Sequence, residues 1–343
     1  MPATITRTIK SSGGDYSSLS AWESAEQGVL TAAWGVAVSS VVGTYTAGET
    51  LNFTGSGATA TFRTLVSGAM RFEVLTGTPA VSDVITGATS LATSTLDSIT
   101  YSDGEIRQAE CYGFGETASA FVVAGSTVDA TRYRRIYAAA GAEAKMYWDT
   151  STAYRFVASA GSNTASEAFL RIERVQIATS STTSDRAALT LSGQSARAVG
   201  CVFADLGTAD NVLLTVQPPA GQAAYAINCV LLGNGSTTLR GYQGAGAGAG
   251  ATSYGYNLTV VGCITNYDTG ARDKILKNCL SFDAGTTDYG TAGGAWTAGT
   301  AINASEDGTA PGTAPLLYVG ADTPHRALVT VKVVRKRKRR VTA

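Results

Sequence analysis

Between residues 171 and 285 the chain repeats one short pattern, an apolar–small–Cys–apolar strand that runs into a polar turn closed by glycine. Four strings carry it: AVGCVFADLG (198–207), AINCVLLGNG (226–235), VVGCITNYDTG (260–270) and LKNCLSFDAG (276–285). RIERVQIATS (171–180) is an earlier relative with Val175 in the cysteine position, and YNLTVVG (256–262) fits with Leu258 there. The series Val175, Cys201, Cys229, Leu258, Cys279 advances in steps of 26, 28, 29 and 21 residues. Each step holds further strand material, such as ALTLSG (188–193), NVLLTVQ (211–217) and STTLRGYQ (236–243). Repeats of this length built from short strands predict a solenoid. With three strands per turn, equivalent residues stack at the ~4.8 Å spacing of hydrogen-bonded strands. The five residues of the series then form one inward column. Asn228, Asn257 and Asn278, each just before it, are placed to stack as an amide ladder. Unequal steps put insertions into loops, among them the glycine-rich 244–250.

Two other patterns flank this repeat. In TRTIKSSGGDYSSLSAWESAEQG (6–28) a strand and a Gly-Asp-Tyr turn precede a short amphipathic helix. Asp15 to Ser18 supply N-cap candidates, and Leu19, Trp22 and Ala25 give it an apolar face. Such a helix would cover the open end of a strand stack, where bare edges invite aggregation. Residues 33–103 instead alternate apolar and polar positions in ETLNF (49–53), ATATFRTL (58–65) and MRFEVL (70–75). In the last, Met70, Phe72 and Val74 face one side and Arg71 and Glu73 the other. The strings 46–61 and 80–93 form a degenerate internal repeat. A small antiparallel β insertion, barrel or sandwich, is expected, either packed against protein or acting as a spacer.

Composition narrows the class. Charged residues are 15% of the 343, well below the ~25% usual in globular proteins. Hydrophobic residues are 44%, which argues against disorder. The 39 glycines and 7 prolines, with abundant Thr, Ser, Ala and Val, suit short strands and tight turns. Neither a bilayer-spanning apolar run nor a secretory signal is expected. The odd set of five cysteines (Cys111, Cys201, Cys229, Cys263, Cys279) therefore reads as reduced, buried thiols. Basic and acidic residues balance at 26 each, but seven of the basic ones are Lys332, Arg335, Lys336, Arg337, Lys338, Arg339 and Arg340. An acidic body carries a basic tail.

On these motifs the chain resembles right-handed parallel β-helix proteins of the pectate-lyase-like superfamily, and more narrowly the β-helix proteins of tailed-phage virions. The opening 6–28 is similar to their entry segment. IRQAECYGF (106–114), DATRYRRIYAAAG (129–141), MYWDTSTAYRFVA (146–158) and FLRIERVQI (169–177) resemble their early rungs, and NASEDGTAPGT (303–313) a late one. The resemblance implies an all-β fold with a capped right-handed β-helix over 1–32 and 104–313; beside it the residues themselves set apart the insertion at 33–103 and a C-terminal strand and basic arm at 314–343.

That superfamily includes polysaccharide lyases and hydrolases, so chemistry has to be sought residue by residue. The only histidine, His325, lies beyond the coil, and no Gly-His-Gly or C-x-x-C occurs, so neither polygalacturonase-type nor zinc chemistry is expected. Asp185, Asp205, Asp210, Asp268 and Asp273 stand singly, in expected turns, without a D-x-D cluster for calcium. Two carboxylate pairs remain as glycosidase candidates, Glu167 with Glu173 and Asp205 with Asp268. The glycines of 55–60 and 244–250 precede neither a helix nor a G-K-[ST], so no nucleotide site is expected. No catalytic residue, cofactor or metal is assigned. Lys332 and Arg335 to Arg340, preceded by the strand-like ALVTVKVV (327–334), are expected to dock into a neighbouring virion protein rather than read nucleic acid. The expected function is a non-enzymatic virion protein, a capsid decoration or cement protein. It would form a homotrimer on the particle surface, bound to the major capsid protein or another virion protein. A tailspike or fibre that grips or cleaves surface polysaccharide is the alternative.

Overall fold

The protein is described by a computed structural model covering residues 2–235, 238–245, 248–268, 273–290, 300, 302–305, 309–311 and 316–317. His325, Lys332 and Arg335 to Arg340 lie outside the described residues. From Glu105 onward the chain visits three sheets in turn and returns to the first. One turn, for example, consists of Arg197–Val199, Val202–Asp205 and Asn211–Val216. Every strand pairs in parallel with its counterpart one turn later, giving sheets of eight, seven and nine strands. Short strands with β-branched or small residues at alternate positions make this possible. Inward positions such as Ile172, Ala198, Ala226 and Phe203, Leu231, Val260 fill one continuous core. The register keeps equivalents above one another, as in Gln176↔Val202↔Val230↔Thr259↔Leu280. Val175, Cys201, Cys229, Leu258 and Cys279 each directly precede a member of that row, and all five are buried. All five cysteines are free.

The coil also stacks polar groups inward. Tyr242, Tyr267 and Tyr289 lie over one another on the seven-stranded sheet, with the last two rings stacked 4.6 Å apart and nearly parallel. Tyr267 donates across the core to the carbonyls of Leu258 and Leu280, and Tyr289 to those of Cys279 and Ala304. These bonds satisfy buried hydroxyls that would otherwise be costly.

The helix Leu19–Ala25 sits on the first turns. Ser18 is its N-cap, accepting from the Ala21 N–H at 3.1 Å. Asp15 instead accepts from the backbone and hydroxyl of Thr8, bracing the entry turn. Leu19 and Trp22 are buried in the coil core, whereas Ala25 is exposed and Glu26 is buried. The apolar face is thus shorter than the heptad-like spacing suggests. Its inner end is electrostatic.

Between Ala3–Ile9 and Glu105–Cys111, which pair directly, the chain leaves the coil and builds a closed antiparallel barrel of six strands running from Ala33–Val42 to Thr93–Tyr101. Its own core contains Val36, Leu51, Phe53, Phe62, Met70, Phe72, Ile85 and Leu96. The two halves are related by a 34-residue shift. Asn52 pairs with its equivalent Thr86, flanked by Leu51↔Gly87 and Phe53↔Ile85, as a local two-fold requires. Glu49 accepts from Thr89 N and Ser90 N, and the equivalent Asp83 accepts from Ser56 N at 2.8 Å. Each half thus caps a turn of the other.

Candidate interaction surface

The joint between barrel and coil is made of charge. On the strand Ala69–Thr76, Met70 and Phe72 enter the barrel core. Arg71 and Glu73 leave from the opposite face, yet both are buried, because that face lies on the first turn. Arg71 Nη2 donates to Glu105 Oε1 at 2.6 Å and also lies 3.3 Å from Glu26 Oε2. Arg107 bonds Glu105 and the carbonyl of Glu26. Glu73 accepts from Arg63 at 2.8 Å and from Val29 N at 2.8 Å. Burial alone would raise the Glu105 carboxyl, but the guanidiniums of Arg107 and Arg71 outweigh it and hold it below the ordinary range. A Cβ at Gly28 would lie 2.3 Å from Glu73 Oε1, so a larger residue there would displace that carboxylate. None of these residues was singled out as a site from sequence. Alternation marked Arg71 and Glu73 as outward, which ordinarily means solvated.

The carboxylate pairs considered for hydrolysis are engaged structurally. Glu167 is paired with the fully buried Arg134 at 2.5 Å, whereas Glu173 pairs with Arg135 on the outer face of the coil. Asp205 and Asp268 end strands rather than sitting in turns, and both are buried. Asp205 accepts from Gly207 N, Asn211 and Thr238, and Asp268 from Arg240 at 2.6 Å. Glu116 sits under the cap helix, accepting from Leu19 N at 3.0 Å and from the Tyr154 hydroxyl at 2.8 Å. Burial raises its carboxyl, and these bonds only partly offset that. Burial likewise drives the Cys111 and Cys201 thiols well up and Cys279 to about 12, whereas the Cys229 thiol, in contact with Cys201, is lowered.

The asparagines occupy a corner rather than the interior. Arg174, Gly200, Asn228, Asn257 and Asn278 stack there with φ of 56°, 63°, 54°, 53° and 56°. This left-handed conformation favours Gly and Asn. Asn257 Nδ2 donates to Asn228 Oδ1 at 2.8 Å on the surface. Asn278 makes no such bond among the described residues.

Outside the eight-stranded sheet, alternate residues form two columns parallel to the coil axis. In one, Arg135, Arg171, Arg197, Tyr225, Tyr254 and Ile275 follow in register; in the other, Tyr137, Glu173, Val199, Ile227, Tyr256 and Lys277. The Arg171 guanidinium lies over the Tyr133 ring, 3.8 Å from its centroid, and that of Arg197 5.8 Å from the Tyr225 centroid, while Tyr225 and Tyr254 stack at 5.0 Å. Arg135 is paired with Glu173, but neither Arg171 nor Arg197 has a carboxylate in reach among the described residues. A strip of Tyr and Arg with Val and Ile at its centre has the composition of an interaction surface. Comparison of the chain with family models, curated proteins and solved structures finds no match.

Proposed function

We propose that the protein is a non-enzymatic structural protein of a tailed-phage virion. It would be a right-handed parallel β-helix of the pectate-lyase-like kind, serving as a capsid decoration or cement protein. The observation that carries this reading is the buried joint of Glu26, Arg71, Glu73, Glu105 and Arg107, which fixes a second β module on a rigid coil. Charged groups that an enzyme would present to a substrate serve here to hold two modules in one orientation, a property suited to a display or cementing part. Resemblance to phage β-helix proteins supplies the setting. Attachment to the capsid protein or another virion protein is assigned to the basic arm, Lys332 and Arg335 to Arg340. Mass spectrometry and cryo-electron microscopy of particles of the encoding phage test this, with many copies expected on the shell. Absence from purified particles overturns it. Deleting residues 327–343 is expected to leave a folded body that no longer attaches.

The spike alternative draws on the outer Arg–Tyr strip, whose row of guanidiniums and phenols also fits an acidic polysaccharide. Copies found only at the tail, with glycan binding lost in Arg171→Ala, would favour it.

A further inference from the structure

We infer that the outer face of the eight-stranded sheet is a self-complementary surface through which two copies of this chain pack side by side, coils parallel, about a two-fold axis running along the coil. Like charges directly opposite one another on neighbouring strands destabilise a sheet. Arg135, Arg171 and Arg197 are nevertheless consecutive in one column, with Glu173 paired to the first of them. Oε1 of Glu173 has no partner among the described residues. The surface of one chain therefore carries two guanidiniums short of a counter-charge and a carboxylate with an open oxygen, one column over.

A two-fold axis along the coil, midway between the columns, sets each residue of the first column against the residue two places on in the other copy, at the same rung. Arg171 then meets Glu173 of the other copy, twice per pair. Tyr225 meets Ile227, and Tyr254 meets Tyr256, so apolar and aromatic rungs fall on their like. Arg135 meets Tyr137, a contact already made within one chain, where the guanidinium lies 4.4 Å from the ring centroid. The rung spacing is identical in both copies, so the register holds along the strip, with Arg197 against Val199 and Ile275 against Lys277 as its unmatched rungs. Over the six rungs from Arg135 to Ile275 the strip is about 24 Å long, at the small end of specific interfaces. Association should be weak in dilute solution and populated where copies are crowded. That last condition rests on the virion reading; the surface itself does not. A second copy accounts for the apolar centre of the strip, which a polyanion such as an acidic glycan or nucleic acid would leave unused.

The test uses the full chain. Sedimentation velocity into the high micromolar range should show a monomer–dimer equilibrium. Arg171→Glu and Ile227→Asp should each weaken it by about tenfold or more, with circular dichroism showing that each variant keeps the β fold. The charge-swapped pair Arg171→Glu with Glu173→Arg should recover association to within about threefold of the parent. Register is read by cysteine pairing, the native thiols being buried. Chains carrying Tyr225→Cys and chains carrying Ile227→Cys should form a disulfide-linked dimer only when mixed and oxidised. A chain that stays monomeric overturns the inference. So does dimerisation indifferent to Ile227→Asp, or cross-linking of Arg197→Cys with Tyr225→Cys chains, which would mean antiparallel coils. A trimer formed through this face, or binding of polygalacturonate or poly-dT by the monomer that is lost in Arg171→Glu, overturns it too. Loss of particle localisation with the dimer intact would count against the virion reading alone.

Discussion

The coil and the barrel are both closed β structures, but they close by different means. In the coil each turn is a template for the next, and one inward position recurs above itself, filled by apolar or small residues, as along Ile172, Ala198, Ala226 and Gly255. Backbone bonds run from rung to rung, and in its polar interior the hydroxyls of Tyr267 and Tyr289 reach carbonyls. In the barrel the repeat is two-fold rather than translational, and its carboxylates cross over, Glu49 bracing one half's turn and Asp83 the other's. A translational stack tolerates insertions of any length at its corners, which is why the steps of 21 to 29 residues are harmless. A two-fold closure does not: both halves must match. Where the two systems meet, neither repeat supplies a partner, and buried ion pairs do.

The largest effect is expected at that joint. Arg71→Met leaves Glu105 and Glu26 short of a guanidinium in a buried site, and should cost about 3 kcal/mol. If the comparison is right, hydrogen exchange will show the barrel strands opening before the coil. Uniform loss of protection would mean that the two modules unfold as one.

Within the barrel, Glu49 can be tested by pH. Burial would raise its carboxyl, but N–H groups of Ser90, Thr46 and Thr89 and the Ser90 hydroxyl hold it at about 2. A native value below the unfolded one means that its contribution is complete above about pH 4.3, and is lost as pH falls toward 2. Glu49→Gln should lower barrel stability by roughly 1–2 kcal/mol at neutral pH and flatten this acid limb. A limb of unchanged depth would place the acid sensitivity elsewhere.

In the coil, Asn257→Ala forces alanine into φ 53° and removes the bond to Asn228. A loss of about 1 kcal/mol is expected. Asn257→Gly should recover most of it, which denaturant titration of the pair will decide.

The smallest effect has the opposite pH sign to Glu49. Burial raises Glu116, so its native value exceeds the unfolded one, and stability falls as pH rises between the two. Glu116→Gln keeps acceptors for Leu19 N and the Tyr154 hydroxyl, and should raise coil stability by a few tenths of a kcal/mol at pH 7. A decrease would mean that the ionised carboxylate is needed at the helix start.

The repeat at Val175, Cys201, Cys229, Leu258 and Cys279 was legible because a solenoid writes its period directly into the chain: equivalent positions meet equivalent environments. Strand alternation in 49–75 was legible for the same local reason, and so was the doubling of 46–61 in 80–93. The sequence by itself therefore determined that this is an all-β chain with a stacked body and a distinct β insertion. Local pattern cannot report which outward face meets another module. Arg71 and Glu73 looked solvated and are buried, because the coil's first turn packs where the alternation implied water, and Ala25 looked buried and is exposed. The asparagines are explained by backbone geometry at a corner, which a side-chain pattern does not carry. Only the tertiary structure decided these points, since burial of a charge depends on what long-range packing brings against it. Arg71 belongs to the barrel and Glu105 to the coil's first turn, so neither module's repeat pairs them.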